Sequence, residues 1–416
     1  MIFKNINSPK RGSENERRAS WYNYYAGFSH TFVRNLINEL HLSKDSVILD
    51  PWNGSGATTY AASIEGYQSV GSDLNPPMYV IAKSKMADKN DVINALVKIK
   101  KMRVNVFSCT FDSDDYLNNW FVYQTASYIR YIDFFICKKT NVDINTKLHL
   151  LSKVDCLLYV ALFNTVRLLI KSFVSSNPTW IKKAKESNNK IKVDNRFIKQ
   201  NIINLLNEKL DIDDFPLINK DAFFLSDDVK DLSLKDKSID IVITSPPYCT
   251  RIDYGIATSP ESAVLYGNNP IQIEEMRRRL MGRTTIDKTF YDGVSFSSTT
   301  DEFLSSIYKH KSRASNTYYY KNFYQYFIDL KLSLIEINRV LKSNGYFVCV
   351  VQDSYYKEIH CDLSQILTEL LDSNGFKLLQ KKEFESTVNM ANLNNKSKAY
   401  RDKIEATEYV LIFSRG

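Results

Sequence analysis

The strongest constraint on this 416-residue chain is a rhythm near its start. SVILD (46–50) is apolar and β-branched and ends on an acid; PWNGSG follows, then ATTYAASIEG, then a second strand-like run, QSVGSDL (68–74). Two short apolar runs separated by a helix-period stretch that stops at Gly66 make a βαβ unit, because neighbouring parallel strands need a crossover connection. PPMYVIAKSKMA then opens a further helix with proline in its first turn. The expectation is an α/β fold on a parallel sheet. The strand pattern lapses over about 90–210, where DYLNNWFVYQTASYIRYIDFFICKK and NTKLHLLSKVDCLLYVALFNTVRLLIKSFV read as helices. It resumes at INKDAFFLS (218–226), SIDIVITSPPY (238–248), YFVCVVQ (346–352), FKLLQKK and TEYVLIFSR. Three segments follow: an arm plus the first part of the sheet domain (1–88), a helical insertion (89–215), and the second part of the sheet domain (216–416). The last carries a polar, basic insertion at about 255–318.

The formal charge of +8 favours a polyanionic partner, though an ordinary basic surface gives the same number. The 26 Tyr and 23 Phe suit a deep core first and base stacking second. Six cysteines, at 109, 137, 156, 249, 349 and 361, form no CxxC pair, so neither a disulfide framework nor a zinc site is indicated and a reducing cytosol is expected. The five histidines are isolated, and no metal site is expected. The first residues lack the apolar stretch of a signal peptide. CLLYVALFNTVRLLI is flanked by Lys153 and Asp155 on one side and interrupted by Arg167, which leaves too short an uncharged run for a bilayer. It reads as a buried core helix in a cytoplasmic protein without membrane contact.

Four constellations carry chemistry. In ILDPWNGSGATT a strand ends at Asp50, and Gly54 and Gly56 flank Ser55 just before a helix. Glycines allow a close backbone approach, and the helix N-terminus offers unpaired N–H groups, although a plain β–α turn has the same letters. Asp73 ends the next strand, where an acid can accept from ribose hydroxyls. Asp221 precedes AFFLS and is either an acceptor for an adenine amino group or a solvated loop acid. TSPPY (244–248) follows the buried run IDIVI. The two prolines stiffen the loop in an extended form and remove N–H donors. At the C-terminal end of a parallel strand this places a serine oxygen, a free Pro246 carbonyl and the Tyr248 ring at the edge where open α/β sheets bind ligands. Cys249, next in line, reads as a small loop residue, since thiol-based attack would need a different loop and a partner acid.

DPWNGSGATT and DIVITSPPY, with the later LKSNGYFVCVVQDS, resemble the motifs of S-adenosylmethionine-dependent DNA amino-methyltransferases, the SPPY form being typical of cytosine-N4 enzymes. The resemblance covers roughly 20–85 and 215–416. It implies a Rossmann-like class I methyltransferase sheet with helices on both faces, plus the large, mainly helical insertion. It also implies that S-adenosyl-L-methionine is held by Phe28, Asp50, Pro51, Gly54, Ser55, Gly56, Thr58, Asp73 and Asp221. Ser245, Pro246, Pro247 and Tyr248 would form the active site. Two features depart from the usual pattern: the cofactor motif precedes the catalytic one, and the gap between them is long.

The reaction implied is direct attack by the exocyclic amine of a flipped-out base in double-stranded DNA, cytosine N4 first and adenine N6 as the alternative, on the cofactor's electrophilic methyl group. An RNA base methyltransferase and a non-catalytic nucleic-acid-binding module on the same fold are the remaining alternatives. Arg251, Arg277, Arg278, Arg279, Arg283 and Trp180 are the candidate DNA contacts, with a solvated basic helix face as the plainer account of the arginines. A cognate restriction endonuclease is the partner such an enzyme suggests.

Overall fold

The computed structural model describes residues 3, 6–9, 21–24, 27–104, 114–138, 142–175, 180–211, 215–249, 252–267, 269–290, 292–386 and 406–416. Seven strands form one sheet: β1 (Val47–Asp50), β2 (Gln68–Ser72), β3 (Ala222–Leu225), β4 (Ile239–Thr244), β5 (Leu341–Gln352), β8 (Phe376–Ser386) and β9 (Ala406–Arg415). A small hairpin, β6 (Ser354–Tyr356) and β7 (Ile359–Cys361), follows β5. The sheet order is β3-β2-β1-β4-β5-β9-β8, parallel from β3 to β5, with β9 antiparallel to both β5 and β8. This is the expected Rossmann-like methyltransferase sheet. From β1 the chain steps outward through β2 to β3, then returns to β1's other side as β4 and runs outward again. The crevice at such a reversal, above the C-terminal ends of β1 and β4, is where open α/β sheets bind ligands.

The strands read as nearly continuous apolar runs because both faces are covered. Alternate residues go to opposite faces. Ile48, Ile241, Ile243, Val348, Val350, Val410 and Ile412 pack under α1 (His30–Glu39) and α2 (Ala57–Ile64). Leu49, Val242, Phe347, Cys349, Val351, Leu411 and Phe413 pack on the other face with residues of three helices that occur late in the chain. The first helix is capped by Ser29, whose hydroxyl accepts from the amides of Thr31 and Phe32.

The remaining helices, in chain order, are α3 (Pro76–Ser84), α4 (Lys89–Lys100), α5 (Tyr123–Cys137), α6 (Ile144–Leu150), α7 (Lys153–Leu169), α8 (Asn195–Leu210), α9 (Tyr254–Ala257), α10 (Ser259–Leu265), α11 (Pro270–Arg279), α12 (Ser298–Lys309), α13 (Tyr320–Val340) and α14 (Leu363–Asp372). Helices α12, α13 and α14 supply that second face. The helical insertion does not form a lobe of its own. Side chains of α4, α5, α7 and α8 share one core with α3 of the sheet domain and with α10 of the basic insertion. Leu157 to Phe163 on α7 are all fully buried. Two insertion arginines tie this core to α10. Arg167 Nη2 donates to Glu261 Oε2 at 2.7 Å, and Arg130 Nη1 donates to the Val264 carbonyl at 2.7 Å while its Nη2 reaches Asp115 Oδ1 at 2.8 Å. Among the described residues no single helix is long and apolar enough to cross a membrane; α6 and α7 pass that test only as a pair bent by 118°.

Because the core is shared, Leu162→Ala should lower stability by about 2–5 kcal/mol. It should shift one cooperative urea transition rather than split off an early one, as circular dichroism will show. A separate low-urea transition would mean that the insertion folds alone.

Candidate active site

Asp50 ends β1 with its carboxylate buried. Thr244, the last residue of β4, donates its hydroxyl to Asp50 Oδ1 at 2.6 Å, and the Trp52 amide donates to the same oxygen at 3.2 Å. Burial pushes Asp50 up to about 6, against the pull of these donors and of Thr58. The turn that follows is pinned to β2. The Asn53 amide donates to the Ser72 carbonyl at 3.0 Å, and the Asn53 side chain fills the space a Cβ on Gly71 would need, 2.5 Å from its Cγ. Gly56 sits at φ +80°, and a Cβ there would lie 2.7 Å from the Ala82 Cβ, so only glycine lets α2 start this close to α3.

Asp73, just past β2, accepts from the Gly54 amide at 2.8 Å and from the Asn75 amide at 2.9 Å. Burial again dominates and pushes it up to about 6; the two amides lower it, and the nearby Asp50 raises it further. Each Asp73 oxygen accepts one amide and keeps a lone pair for a further donor. These groups line a cleft together with Phe28, Pro51 and Ser55. The Pro-Pro loop, Ser245, Pro246, Pro247 and Tyr248, lines the same cleft. Gly56 and Thr58 stand behind the lining: Gly56 starts α2, and the Thr58 hydroxyl donates to the Ile243 carbonyl at 3.2 Å.

Asp221 does not belong to the cleft. It precedes β3, at the opposite end of the strand, where its side chain is 66% exposed and pairs with Lys153 at 2.6 Å. The acids at the ligand-binding end of β3 are Asp227 and Asp228, which line the cleft with Val229 and Lys230. The signal was present in AFFLSDDV: acids follow the strand, as Asp73 follows β2 and as Asp50 closes β1. Asp329 of α13 and the aromatic residues Tyr24, Trp52 and Tyr254 also line the cleft, without a sequence signal that marked them out.

The Pro-Pro loop is held by its backbone. The Tyr326 hydroxyl donates to the Pro247 carbonyl at 2.8 Å, the Tyr248 amide donates to the Tyr254 hydroxyl at 3.3 Å, and the Ser354 hydroxyl donates to the Cys249 carbonyl at 2.7 Å. Among the described residues nothing donates to the Pro246 carbonyl. Burial pushes the Tyr248 phenol up to about 12, so its ring is an uncharged surface. Cys249 is 2% exposed, and burial holds its thiol well above the usual range, which removes it as a nucleophile.

The predicted DNA-contacting residues separate. Arg277 is a structural clamp: Nη2 lies 2.7 Å from Asp253 Oδ2 and Nε 3.1 Å from Oδ1. Burial would raise the Asp253 carboxyl, but Arg277 and Thr284 hold it below the usual range. Arg283 is buried against Asp329 at 2.6 Å and Asp287 at 2.8 Å. Both are therefore corrected from DNA contacts to internal ion pairs. Arg278 and Arg279 are exposed, and Arg279 lines the cleft mouth. Trp180 is 69% exposed beside exposed Lys182 and Lys183. Arg251 lies outside the described residues.

The chain is similar to known proteins along most of its length. The family described as "DNA methylase" matches residues 239–416, and the family described as "D12 class N6 adenine-specific DNA methyltransferase" matches residues 25–249. The type II methyltransferase M.BsoBI of Geobacillus stearothermophilus is 27% identical over 308 residues, a match that takes in 67% of this chain and 58% of that relative's length. The type II methyltransferase M.AvaI of Nostoc sp. is 22% identical over 405 residues, which take in 86% of this chain and 79% of that relative.

The two buried carboxylates set a pH dependence. Their folded pKa of about 6 lies above the ordinary 3.8, so the folded state binds more protons between about pH 4 and 6. The ligand-free protein should therefore gain stability as pH falls from 7 to 5, by about 1 kcal/mol for each group. Urea titrations of wild type and Asp50→Asn at pH 7 and 5 test this. The variant should show a smaller gain; an identical gain would contradict the burial account.

Proposed function

The chain belongs to the S-adenosylmethionine-dependent DNA amino-methyltransferases, and from that premise we propose that it methylates the exocyclic N4 of a cytosine flipped out of double-stranded DNA. The observation that carries this reading is the rigid Ser245-Pro246-Pro247-Tyr248 loop facing a carboxylate-lined cleft across the β1/β4 crevice. The amine of cytosine is a poor nucleophile because its lone pair is delocalised into the ring. The Ser245 hydroxyl and the Pro246 carbonyl are acceptors that favour a pyramidal amine and so localise that pair. The loop is already fixed by Tyr326, Tyr254 and Ser354, so no reorganisation is needed at the moment of reaction. Tyr248 offers its ring to the extruded base.

The donor set of the cleft fits S-adenosylmethionine, which when bound supplies an electrophilic methyl group on sulfur. Asp50 and the glycine turn Gly54–Gly56 would hold its amino-acid end, with Phe28 and Pro51 beside them and Thr58 bracing the turn from behind. Asp73 would accept from the ribose hydroxyls. Asp228, in place of Asp221, would face the adenine. Arg278, Arg279 and Trp180 are the exposed groups left to meet DNA around the mouth. The type II designation of both relatives supports a cognate restriction endonuclease as a companion.

Adenine N6 is the second reading, favoured by the match to the adenine-specific family over 25–249. Ser245 at the head of the loop is what supports cytosine. Ser245→Ala and Tyr248→Ala should each lower methylation of DNA by about 100-fold or more while leaving cofactor affinity unchanged in calorimetry. Nucleosides from cells expressing the wild type should contain N4-methylcytosine by mass spectrometry. N6-methyladenine alone would replace the first reading with the second, and full activity in both variants would overturn the site.

A further inference from the structure

The link from α12 into α13 begins KHKSRA, residues 309–314. Lys309, Lys311 and Arg313 are exposed, whereas His310 and Ser312 between them are half-buried. His310 has extended backbone, with φ −69° and ψ 137°, and alternate residues of an extended segment point to one side. Exposure alternates along the whole link, so the three cations stand on its outer side. Among the described residues none of the three side chains has an ion-pair or hydrogen-bond partner. That sets them apart from Arg277 and Arg283, which are neutralised inside the protein.

The inner residues tie the link to the ligand-binding edge of the sheet. The Ser312 amide donates to His310 Nδ1 at 3.0 Å, and His310 Nε2 donates to Glu358 Oε1 at 2.8 Å. The hydroxyls of Ser312 and Tyr356 share a hydrogen bond of 2.7 Å, and the His310 ring meets Tyr356 edge-on. Tyr356 and Glu358 belong to the β6–β7 hairpin, which follows the C-terminal end of β5. The same hairpin holds the Pro-Pro loop, through the Ser354 hydroxyl on the Cys249 carbonyl. Beyond the link, Ala314 sits at φ +62° and one wide helical turn, Ser315–Tyr319, leads into α13. The Ser315 hydroxyl donates to the Ile307 carbonyl at 2.6 Å, and the Tyr318 hydroxyl to the Thr284 carbonyl at 2.8 Å. A non-glycine residue in the left-handed region is unfavourable unless its surroundings hold it there, and such positions gather at functional sites.

We propose that this link is a docking strip for DNA, on which Lys309, Lys311 and Arg313 contact phosphates flanking the extruded base. The inference rests on the reading of the cleft as a DNA amino-methyltransferase site. Ammonium and guanidinium groups only donate, and phosphate oxygens accept. The link carries no acid, and Glu358, which reaches it from the hairpin, is engaged by His310. Cations on a backbone fixed beforehand fit a regular row of phosphates. They bind it without reading sequence and set the register of the duplex over the Pro-Pro loop.

The test is a triple variant, Lys309→Gln, Lys311→Gln and Arg313→Gln in one protein. Its control loses three exposed cations at the opposite sheet edge, Lys220→Gln, Lys235→Gln and Lys377→Gln, near the starts of β3, β4 and β8. Affinity for a fluorescent DNA duplex is read by anisotropy over a salt series. Each phosphate contact adds about 0.9 to the slope of log affinity against log salt, so the triple variant should lose about 2–3 in slope and the control less than about 0.5. With tritiated S-adenosylmethionine and plasmid DNA, the KM for DNA should rise about 10-fold while kcat stays within about three-fold. Cofactor affinity in calorimetry should not change. A slope within about 0.5 of wild type, or an equal loss in the control, overturns the proposal. So does a loss of cofactor affinity or a lower urea midpoint in the triple variant, which would make the link a structural brace. If the slopes differ as expected but wild type labels no DNA, the functional reading falls and the docking strip stands.

Discussion

The bond from the Thr244 hydroxyl to Asp50 Oδ1 joins residues 194 positions apart and sits where the strand order reverses, between the parallel strands β1 and β4. It fixes the C-terminal ends of β1 and β4 side by side. That adjacency turns two unrelated turns into one site, because the glycine turn leaves β1 and the Pro-Pro loop leaves β4. The long excursion from 73 to 221 costs little here, since loop-closure entropy grows only slowly with length. The excursion is also not loose chain: α7 runs through the middle of a core shared with α3 and α10.

Around this joint the molecule invests in rigidity. Tyrosines 254 and 326 and Ser354 hold the backbone of the Pro-Pro loop, and Asp253, just beyond it, is clamped by Arg277 and Thr284. A loop proposed to present two acceptors to one small amine gains from being set beforehand. The cost shows in the carboxylates. Asp50 and Asp73 are buried far enough to titrate near pH 6, poised for ligand groups that can donate to them.

Much of this is legible in the sequence because it is local. Strand-turn-helix rhythm, proline stiffness and glycine turns are short-range physics, and they locate β1, β2, β4 and the loop at 244–248. What escapes is set by long-range packing. Arg277 and Arg283 look like surface charges in RRR and GRT, but Asp253 and Asp329, which neutralise them, arrive from a different turn and a different helix. The insertion looks separable because its strand signals vanish; its helices instead bury their apolar sides against α3. Asp221 is the acid before β3, whereas a parallel strand delivers ligand contacts at its C-terminal end, where Asp227 and Asp228 stand.

The central claim is that this cleft delivers a methyl group to an amine of a DNA base. Its most direct test is a single turnover of purified protein with labelled S-adenosylmethionine on unmodified duplex DNA, followed by digestion and separation of the nucleosides. The account predicts label in one N-methylated nucleoside, with none retained on the protein. Label on a ring carbon of cytosine, or DNA left unlabelled by protein that binds the cofactor, would contradict it.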